Sequence, residues 1–316
     1  MSLARATTLF PLWAVLAAIL GWLLPEAFSP LQPAIVPGLG VVMLGMGLTL
    51  TLDDFRAVLR RPGSLGLGTL LQIVVMPAAG WLAAVVCGLD PVMVTGMVLV
   101  GAAPVGTAAS VVTYLARGNV ALAVSLTVIS TVLAIVLMPA MTGLFAGEAI
   151  AVATGDMLID VLQIVLLPVA AGTAINTLWG APVAAAKPFF PLLSVAVISL
   201  LIAIIVALSV ETFAALTVGV VAAVVLHNAA GLALGYAVPA LLGMDERTRR
   251  TLAIVVGMQN SGLAVALAAK YLGAGAVLPG ALFSVWHNIT GSLLAGLWSR
   301  RTGMQAGPES APGPGA

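Results

Sequence analysis

Polar residues, glycine and proline interrupt two long apolar runs of this chain, and the two interruptions resemble each other. The windows are Gly101-Ala-Ala-Pro-Val-Gly106 and Gly257-Met-Gln-Asn-Ser-Gly262, in a chain of 316 residues. Each has glycines five apart, and each is followed by small residues that lead to a Tyr-Leu pair. Unwound backbone at membrane depth is tolerated only where it lines a cavity or is buried in protein. Two such breaks in corresponding halves therefore point to a transporter's binding site.

The chemistry available at such breaks suits a small anion. Each break would expose N–H groups where its second half-helix begins, near Thr107 and Ser261. Their partial positive charges can hold an anion without a fixed cation, and neither window contains lysine or arginine. Unwound carbonyls and the side chains of Gln259 and Asn260 can also bind a polar solute or coordinate a cation.

Each of the other polar residues inside the apolar runs can be interpreted in two ways, as part of a binding site or as a structural hydrogen-bonding group. Gln72 either belongs to the site or bonds a neighbouring helix, and a hydroxyl such as that of Thr127 can bond the preceding turn of its own helix. The dipeptide His-Asn occurs at 227–228 and at 287–288, either as interhelical bonds or as part of the site. The predicted substrate-binding residues are Thr107, Ala108, Ser110, Asn260, Ser261, His287 and Asn288.

Composition excludes most other classes of protein. Hydrophobic residues make up 61% of the chain and charged residues 7%, whereas about a quarter of a soluble domain is charged. The net charge of +1 gives no basis for binding nucleic acid. Two histidines and one cysteine cannot form a zinc site, an iron–sulfur site or a disulfide framework. No nucleophile–base pair or paired acidic motif lies in the apolar runs, so we do not expect an enzyme.

Charge-free runs long enough to cross a bilayer recur along the chain. We interpret the first as a retained helix, because it ends in Pro25-Glu26; a cleaved signal peptide is the alternative. The predicted fold class is an all-α polytopic membrane protein with ten transmembrane helices. Their predicted limits are 9–25, 34–51, 64–86, 91–115, 119–145, 155–178, 187–209, 214–243, 248–271 and 277–299.

The positively charged residues predict an orientation. With the N-terminus inside, only Lys270 falls on the outer side of the membrane. The cytoplasmic side then carries Arg5, Arg56, Arg60, Arg61, Arg117, Lys187, Arg247, Arg249, Arg250, Arg300 and Arg301. We expect a multi-pass protein of the cell (inner) membrane with both termini in the cytoplasm.

The two windows begin 156 residues apart, about half the length of the chain. Together with ten spans, this separation predicts two five-helix repeats. Because five is odd, the second repeat is inverted about a pseudo-two-fold axis in the membrane plane. Broken span four then pairs with broken span nine, and span three, with Gln72, pairs with span eight, with His227. Close packing of small residues is the alternative explanation for the glycines, but it does not require a break.

Several segments resemble the bile acid:sodium symporter family, including its bacterial pantoate-transporting members. They are residues 40–50, 71–77, 106–116, 256–264 and 285–292, and Gly-Met-Gln-Asn-Ser-Gly is highly specific for the family. The resemblance implies alternating access, elevator-like or rocking, to a crevice where spans four and nine cross between a core and a panel domain. The implied ranges are 1–61 and 151–211 for the panel domain and 62–150 and 212–301 for the core domain. The proline and glycine content of 302–316 predicts a disordered cytoplasmic tail.

The chain departs from the sodium-coupled members of that family at the positions of their sodium ligands. Val255 stands in place of a glutamate. Ala109-Ser110 replaces Ser-Asn, and Ala123 replaces a serine. The degenerate sodium sites that remain would use Gln72, Thr127, Val256, Met258 and Gln259. A buried sodium ion without a formal negative charge is poorly compensated, so we expect weak sodium binding and no other cofactor.

The predicted function is secondary transport of a small organic anion, bile-acid-like or pantoate- or keto-acid-like, with weak or lost sodium coupling. Proton-coupled or facilitated transport using Asp160 is an alternative if Asp156 and Asp160, which lie on one helix face, are near the crevice. The other interpretation is that they cap the outer end of span six at the water interface. A non-transporting membrane sensor is a more remote alternative. The expected partners are the organic anion and the lipid bilayer, with no nucleic acid and no obligate protein partner.

Overall fold

The structure is a computed structural model that describes residues 10–51, 62–106, 108–146, 153–186, 189–210 and 217–305. Within these ranges the regular elements are helices, apart from one isolated β-bridge. The helices are α1 Phe10–Leu23, α2 Ile35–Thr49, α3 62–86, α4 Pro91–Ala102, α5 Ala109–Leu115, α6 Val120–Ala146, α7 154–178, α8 Phe190–Ser209, α9 Val218–Leu241, α10 Glu246–Gly257, α11 Ser261–Tyr271 and α12 Ala274–Gln305. Short helical segments at Pro25–Phe28, Ser29–Ala34 and Gly180–Ala186 complete the described helices.

Several of these helices can cross a membrane by length and apolar composition. Five qualify within the described residues: Pro25–Thr49, Gly63–Val86, Val120–Phe145, Thr154–Leu178 and Val218–Leu241. Shorter apolar helices lie at Pro91–Ala102 and Leu192–Leu208. The chain is therefore a polytopic helical membrane protein. The helix α12 extends to Gln305, into the segment predicted as a tail, whereas 306–316 lie outside the described residues.

The helix ends have local causes. Asp90 begins α4, and its carboxylate accepts a hydrogen bond from the N–H of Val92 at 2.9 Å. Asp245 begins α10 in the same way, because its carboxylate accepts a hydrogen bond from the N–H of Thr248 at 3.1 Å. The hydrogen bond from the Thr248 hydroxyl holds the pKa of the Asp245 carboxyl below its ordinary value. These caps satisfy N–H groups that would otherwise lack partners at the membrane surface.

The helices pack in two groups. The four-helix group contains α1, α2, α7 and α8, in which α2 packs on α7 and α8, and α8 packs on α1. The crossing group contains α3 to α6 and α9 to α12. Both broken pairs lie at its centre, where every residue from 93 to 102 in α4 and from 250 to 257 in α10 is buried. The groups meet where α6 packs on α7 and where α12 packs on α1 and α8.

Candidate substrate and ion sites at the helix crossing

The two windows singled out in the sequence meet in space and pair through their backbones. Val105 and Gln259 form an antiparallel β-bridge. The N–H of Gly106 donates to the Met258 carbonyl at 2.7 Å, and the N–H of Asn260 donates to the Pro104 carbonyl at 2.7 Å. These bonds satisfy backbone groups that the helix breaks leave open, as burial in a membrane protein requires.

The position of Gly106 at this crossing admits no side chain. A Cβ atom there would lie 2.9 Å from the Gln259 carbonyl oxygen and 3.2 Å from that of Met258. Both neighbours are backbone atoms, so they cannot move aside without separating the two broken helices. The glycine therefore sets how closely the breaks approach each other.

Each break has its own cause. In the first, Pro104 disfavours the helical conformation at the residue before it, and Ala103 is extended with ψ 150°. The second break lacks a proline, and Met258 is extended with φ −113° and ψ 98°. There the Asn228 amide donates to the Gly257 carbonyl at 2.8 Å, which satisfies a carbonyl at the end of α10.

A cavity of about 50 Å³ lies beside the crossing, which we call the crossing cavity. One wall is polar and belongs to the crossing group. Its polar side chains are Gln259, Asn260, Ser261, Ser284, His287 and Asn288. The opposite wall is apolar and comes from α2 and α8. It consists of Leu39, Val42, Ile198, Leu201, Ile202 and Ile205.

The helix α11 begins at the cavity with a side-chain cap. The Asn260 side chain accepts from the N–H of Leu263 at 3.2 Å. The Ser284 hydroxyl donates to that of Ser261 at 2.7 Å, which joins α12 to the first turn of α11. The start of an eleven-residue helix thus lies beside the polar wall.

Two buried polar atoms of the polar wall have no partner among the described residues. The Asn288 amide nitrogen donates to the Ser284 carbonyl at 2.7 Å and lies 2.9 Å from His287 Nε2. Because an amide nitrogen only donates, His287 Nε2 accepts and the proton of the neutral ring is on Nδ1. His287 Nδ1 and Asn288 Oδ1 remain unpartnered. A donor and an acceptor left open beside a cavity indicate a ligand or solvent contact.

The other His-Asn dipeptide is more fully bonded. His227 Nε2 lies 3.1 Å from the Met76 carbonyl, to which it can only donate. The Asn228 amide oxygen accepts from the Thr290 hydroxyl at 2.8 Å, and its nitrogen donates to Gly257. This asparagine holds the second helix break in place, whereas Asn288 faces the cavity.

Gln72 and Gln259 form a closed pair of side-chain amides. Gln72 donates to the Ala103 carbonyl at 3.0 Å and to the Gln259 amide oxygen. Gln259 donates to the Val256 carbonyl at 2.9 Å and back to Gln72 at 3.4 Å. The oxygens available to a cation here therefore already accept hydrogen bonds.

A widened π-helical turn of α3 at Leu71–Val75 carries Gln72. The N–H of Met76 donates to the Leu71 carbonyl five residues earlier, immediately before Pro77. Proline lacks an N–H and its ring clashes with the carbonyl four residues back, which the wider turn relieves. The same sequence pattern, Leu-Gln-Ile-Val followed by proline, forms a second π turn at Leu162–Leu166 in α7. Sequence reasoning missed both turns, although this repeated pattern was the available signal.

The three positions at which the resemblance leads us to expect sodium ligands lie together in an apolar cluster. Val255, Ala109 and Ala123 are all fully buried and belong to the same hydrophobic cluster. The Thr127 hydroxyl is used within its own helix, where it donates to the Ala123 carbonyl at 2.9 Å. No group of three or more His, Cys, Asp or Glu side chains suited to a metal occurs in the part of the chain that the structure describes.

The structure gathers most of the predicted site residues. Ala108, Asn260, Ser261, His287 and Asn288 all line the crossing cavity. Ser110 is half-buried on α5 and is not in the cavity lining, and Thr107 lies outside the described residues. Sequence reasoning missed Ser284, which is one helical turn before Asn288, and the whole apolar wall, because aliphatic residues are unremarkable in a membrane helix.

Asp160 joins the two helix groups away from the crossing. Its carboxylate forms an ion pair with Lys270 and accepts from the Tyr271 hydroxyl at 2.7 Å. Asp160 belongs to α7, whereas Tyr271 ends α11. Asp156, one turn earlier, is exposed.

The chain is similar to known proteins of one family. The model of the Sodium Bile acid symporter family matches residues 36–216, more than half of the chain. The chain belongs to this family. It is a secondary transporter of the membrane and not an enzyme, because the family is one of transporters.

Similar proteins come from bacteria, plants and animals. The uncharacterized sodium-dependent transporter YocS of Bacillus subtilis (strain 168) is 39% identical over 302 residues, 95% of this chain and 94% of that protein. The probable chloroplastic sodium/metabolite cotransporter BASS1 of Arabidopsis thaliana is 40% identical, over 95% of this chain and 75% of its own length. The ileal sodium/bile acid cotransporter of Oryctolagus cuniculus is 29% identical, over 71% of this chain and 66% of that protein.

Proposed function

We propose that this transporter carries a small organic monocarboxylate by alternating access at the crossing cavity, and that its sodium coupling is weak or lost. The proposal includes ten spans in two inverted repeats, in which the crossing group is the core domain and the four-helix group is the panel domain. It also includes the cell (inner) membrane as location, with both termini in the cytoplasm.

The observation that carries the proposal is the division of the cavity between the two helix groups. Its polar wall belongs to one group and its apolar wall to the other. At about 50 Å³ the cavity is small for an organic anion, since ligand pockets are usually about 300–1,000 Å³. An organic anion can therefore enter only when the groups move apart, which is the motion that alternating access requires.

The walls favour a particular kind of substrate. The N–H groups at the start of α11 and the protonated His287 Nδ1 suit a carboxylate. The unpartnered Asn288 Oδ1 needs a donor, which a hydroxyl group supplies and a keto group does not. Together with the aliphatic wall, these groups favour a hydroxylated aliphatic acid, pantoate-like or bile-acid-like, over a keto acid.

The residues at the family's sodium positions do not suit that ion. Val255, Ala109 and Ala123 supply no side-chain oxygen, and they pack in a dry cluster. The nearby amide pair of Gln72 and Gln259 is neutral, and its two side-chain oxygens already accept hydrogen bonds from each other's amides. Because removing sodium from water is costly without a fixed negative charge, we propose that the ion contributes little to transport.

Facilitated or proton-coupled transport remains the second candidate, and one observation favours it. Asp160 links the two helix groups through Lys270 and Tyr271. Separation of the two groups would break this ion pair, so Asp160 is the carboxylate at which proton coupling would act. An inward proton gradient should then accelerate uptake by the wild type and leave Asp160→Asn unaffected.

Uptake into proteoliposomes tests the proposed function. Radiolabelled pantoate, a keto acid and cholate are supplied separately, with protein-free liposomes as the control. We expect saturable uptake of at least one acid, inhibited by excess unlabelled acid. Specific binding by the purified protein without uptake would indicate a sensor, and neither binding nor uptake of any carboxylate would contradict the substrate class.

A further inference from the structure

A second and much larger cavity lies at the arginine-rich end of the crossing group. It has a volume of about 1270 Å³ and shares no lining residue with the crossing cavity. One wall is formed by residues 114–121, from the end of α5 to the start of α6. The other walls are the first turns of α10 and the end of α12. We call it the arginine cavity, because Arg117, Arg247 and Arg250 line it.

The walls of this cavity are held together by specific hydrogen bonds. The N–H of Asn119 donates to the Thr251 hydroxyl at 2.7 Å, and that hydroxyl donates to the Arg247 carbonyl at 2.7 Å. Arg117, two residues before Asn119, has a left-handed backbone with φ 56°. The segment that carries Arg117 is thus anchored to the first turns of α10, which carry Arg247.

Two of the three arginines keep an uncompensated charge. Arg250 is buried, forms an ion pair with Glu246 at 2.8 Å and lies over the Trp298 ring. Burial raises the pKa of Glu246, but the hydrogen bonds from Arg250 and Tyr236 outweigh it and hold the pKa below its ordinary value. The one carboxylate in the lining is therefore committed to Arg250. Among the described residues, the side chains of Arg117 and Arg247 have neither a hydrogen bond nor an ion pair.

The rest of the cavity is amphipathic. Ser292 and Ser299 of α12 offer hydroxyls within it. Tyr114, which also lines it, is 71% exposed. On α12 the neighbouring Leu293 and Leu297 are 63% and 57% exposed. Exposed aliphatic side chains at the end of a membrane helix face lipid, so the cationic cavity opens beside acyl chains.

We propose that the arginine cavity binds the phosphate headgroup of an acidic phospholipid. Guanidinium groups bind phosphate with two parallel hydrogen bonds, and basic cavities between membrane helices at the cytoplasmic side hold acidic headgroups. The apolar rim favours a lipid over free phosphate, because only the lipid supplies chains to cover it. The site is independent of the substrate and ion proposed for the crossing cavity.

Native mass spectrometry of the purified full-length protein in detergent tests this proposal. The probes are palmitoyl-oleoyl phosphatidylglycerol, the matching phosphatidylcholine and soluble sn-glycerol 3-phosphate. We expect the wild type to bind phosphatidylglycerol at least tenfold more tightly than phosphatidylcholine. The double variant Arg117→Gln/Arg247→Gln should lose about thirtyfold of that affinity, which corresponds to about 1 kcal/mol per arginine.

Two further variants control the result. Arg249→Gln removes an equal charge from the same helix at a position that does not line the cavity, and should keep the lipid affinity. Arg117→Gly/Arg247→Gln guards against misfolding, because glycine adopts a positive φ without strain. The proposal is overturned by lipid selectivity that persists in folded double variants, by an equal loss in Arg249→Gln, or by glycerol phosphate binding as tightly as the lipid.

Discussion

Two asparagines in equivalent His-Asn dipeptides differ in how fully their side chains are bonded. Asn228 uses both ends of its amide, with Gly257 and Thr290 as partners. Asn288 uses only its nitrogen and leaves its buried oxygen open. A polar atom that the fold leaves unsatisfied costs stability, and its place beside a cavity suggests that a bound substrate satisfies it.

We therefore predict that replacement by alanine affects mainly stability at Asn228 and mainly substrate binding at Asn288. Asn228→Ala should lower the free energy of unfolding by about 1–3 kcal/mol, because it leaves the Gly257 carbonyl unpaired. Asn288→Ala should change stability less but weaken substrate binding. Thermal unfolding with and without substrate measures both effects. A larger loss of stability in Asn288→Ala, with unchanged affinity, would reject the assignment of Asn288 to the site.

Asn260 caps α11, and two variants can separate this cap from the substrate contact that we propose for the same side chain. Asn260→Ala removes the cap of α11 and should weaken binding by about 1–3 kcal/mol if it also leaves a polar substrate group unpaired. Asn260→Asp keeps the cap, since aspartate is an equally good cap residue, but places a negative charge at the cavity.

The aspartate variant should keep the cap but bind the carboxylate at least tenfold more weakly, and its stability without substrate measures the separate cost of burying its charge. Isothermal titration of the purified variants gives the affinities. Wild-type affinity in Asn260→Asp would mean that the anion does not approach the start of α11.

At the scale of elements, the molecule depends on two broken helices that share a short antiparallel pairing. The bonds of Gly106 to Met258 and of Asn260 to Pro104 replace intrahelical bonds that the breaks remove. One glycine allows the close approach. The π turn that carries Gln72 brings an amide to the same place.

Gly106→Ala should disrupt this crossing. The added methyl group would lie 2.9 Å from a backbone oxygen, and overpacking of this kind costs about 1–3 kcal/mol. We expect a lower unfolding temperature and loss of uptake together. Gly40→Ala serves as the control, because an added Cβ there meets no atom within 4 Å. Normal uptake by Gly106→Ala would show that the observed approach of the breaks is not required.

Because the cluster around Val255 is apolar, we predict that a single acidic substitution there does not restore a sodium site. Val255→Glu alone should lower stability by several kcal/mol relative to Val255→Gln, since it buries an unpaired charge. Only the combination with Ala109→Ser and Ala123→Ser should gain stability from sodium chloride over choline chloride. Equal stabilisation of the single and triple variants would show that the neighbouring oxygens do not matter.

At the scale of the whole molecule, much of the helical architecture could be predicted. The limits of α3 and α7 lie within two residues of those predicted, because charge-free runs and proline mark membrane helices clearly. The windows around Gly106 and Asn260 were expected to cross, and the structure pairs them.

Other features could not be predicted because they depend on tertiary packing. Ile198 and Leu201 look like any lipid-facing residues in the sequence, yet they form the wall opposite the polar side chains of the crossing cavity. The second break has no proline, and long-range hydrogen bonds from Asn228 and to Pro104 stabilise it. The difference between Asn228 and Asn288 likewise appears only when their partners are known.

We propose that substrate is bound and moved at the crossing without a functional sodium site. A ligand drives a conformational change only when it binds the two states with different affinities. A site without a charged side chain binds sodium weakly in both states, so the difference between the two affinities is small. The decisive measurement is uptake of the transported carboxylate into proteoliposomes under an inward sodium gradient, compared with choline at fixed pH. We predict saturable uptake that sodium stimulates less than about twofold. Stimulation on the order of tenfold would show that backbone carbonyls with Gln72, Gln259 and Thr127 bind sodium well enough to drive transport, and would contradict the claim.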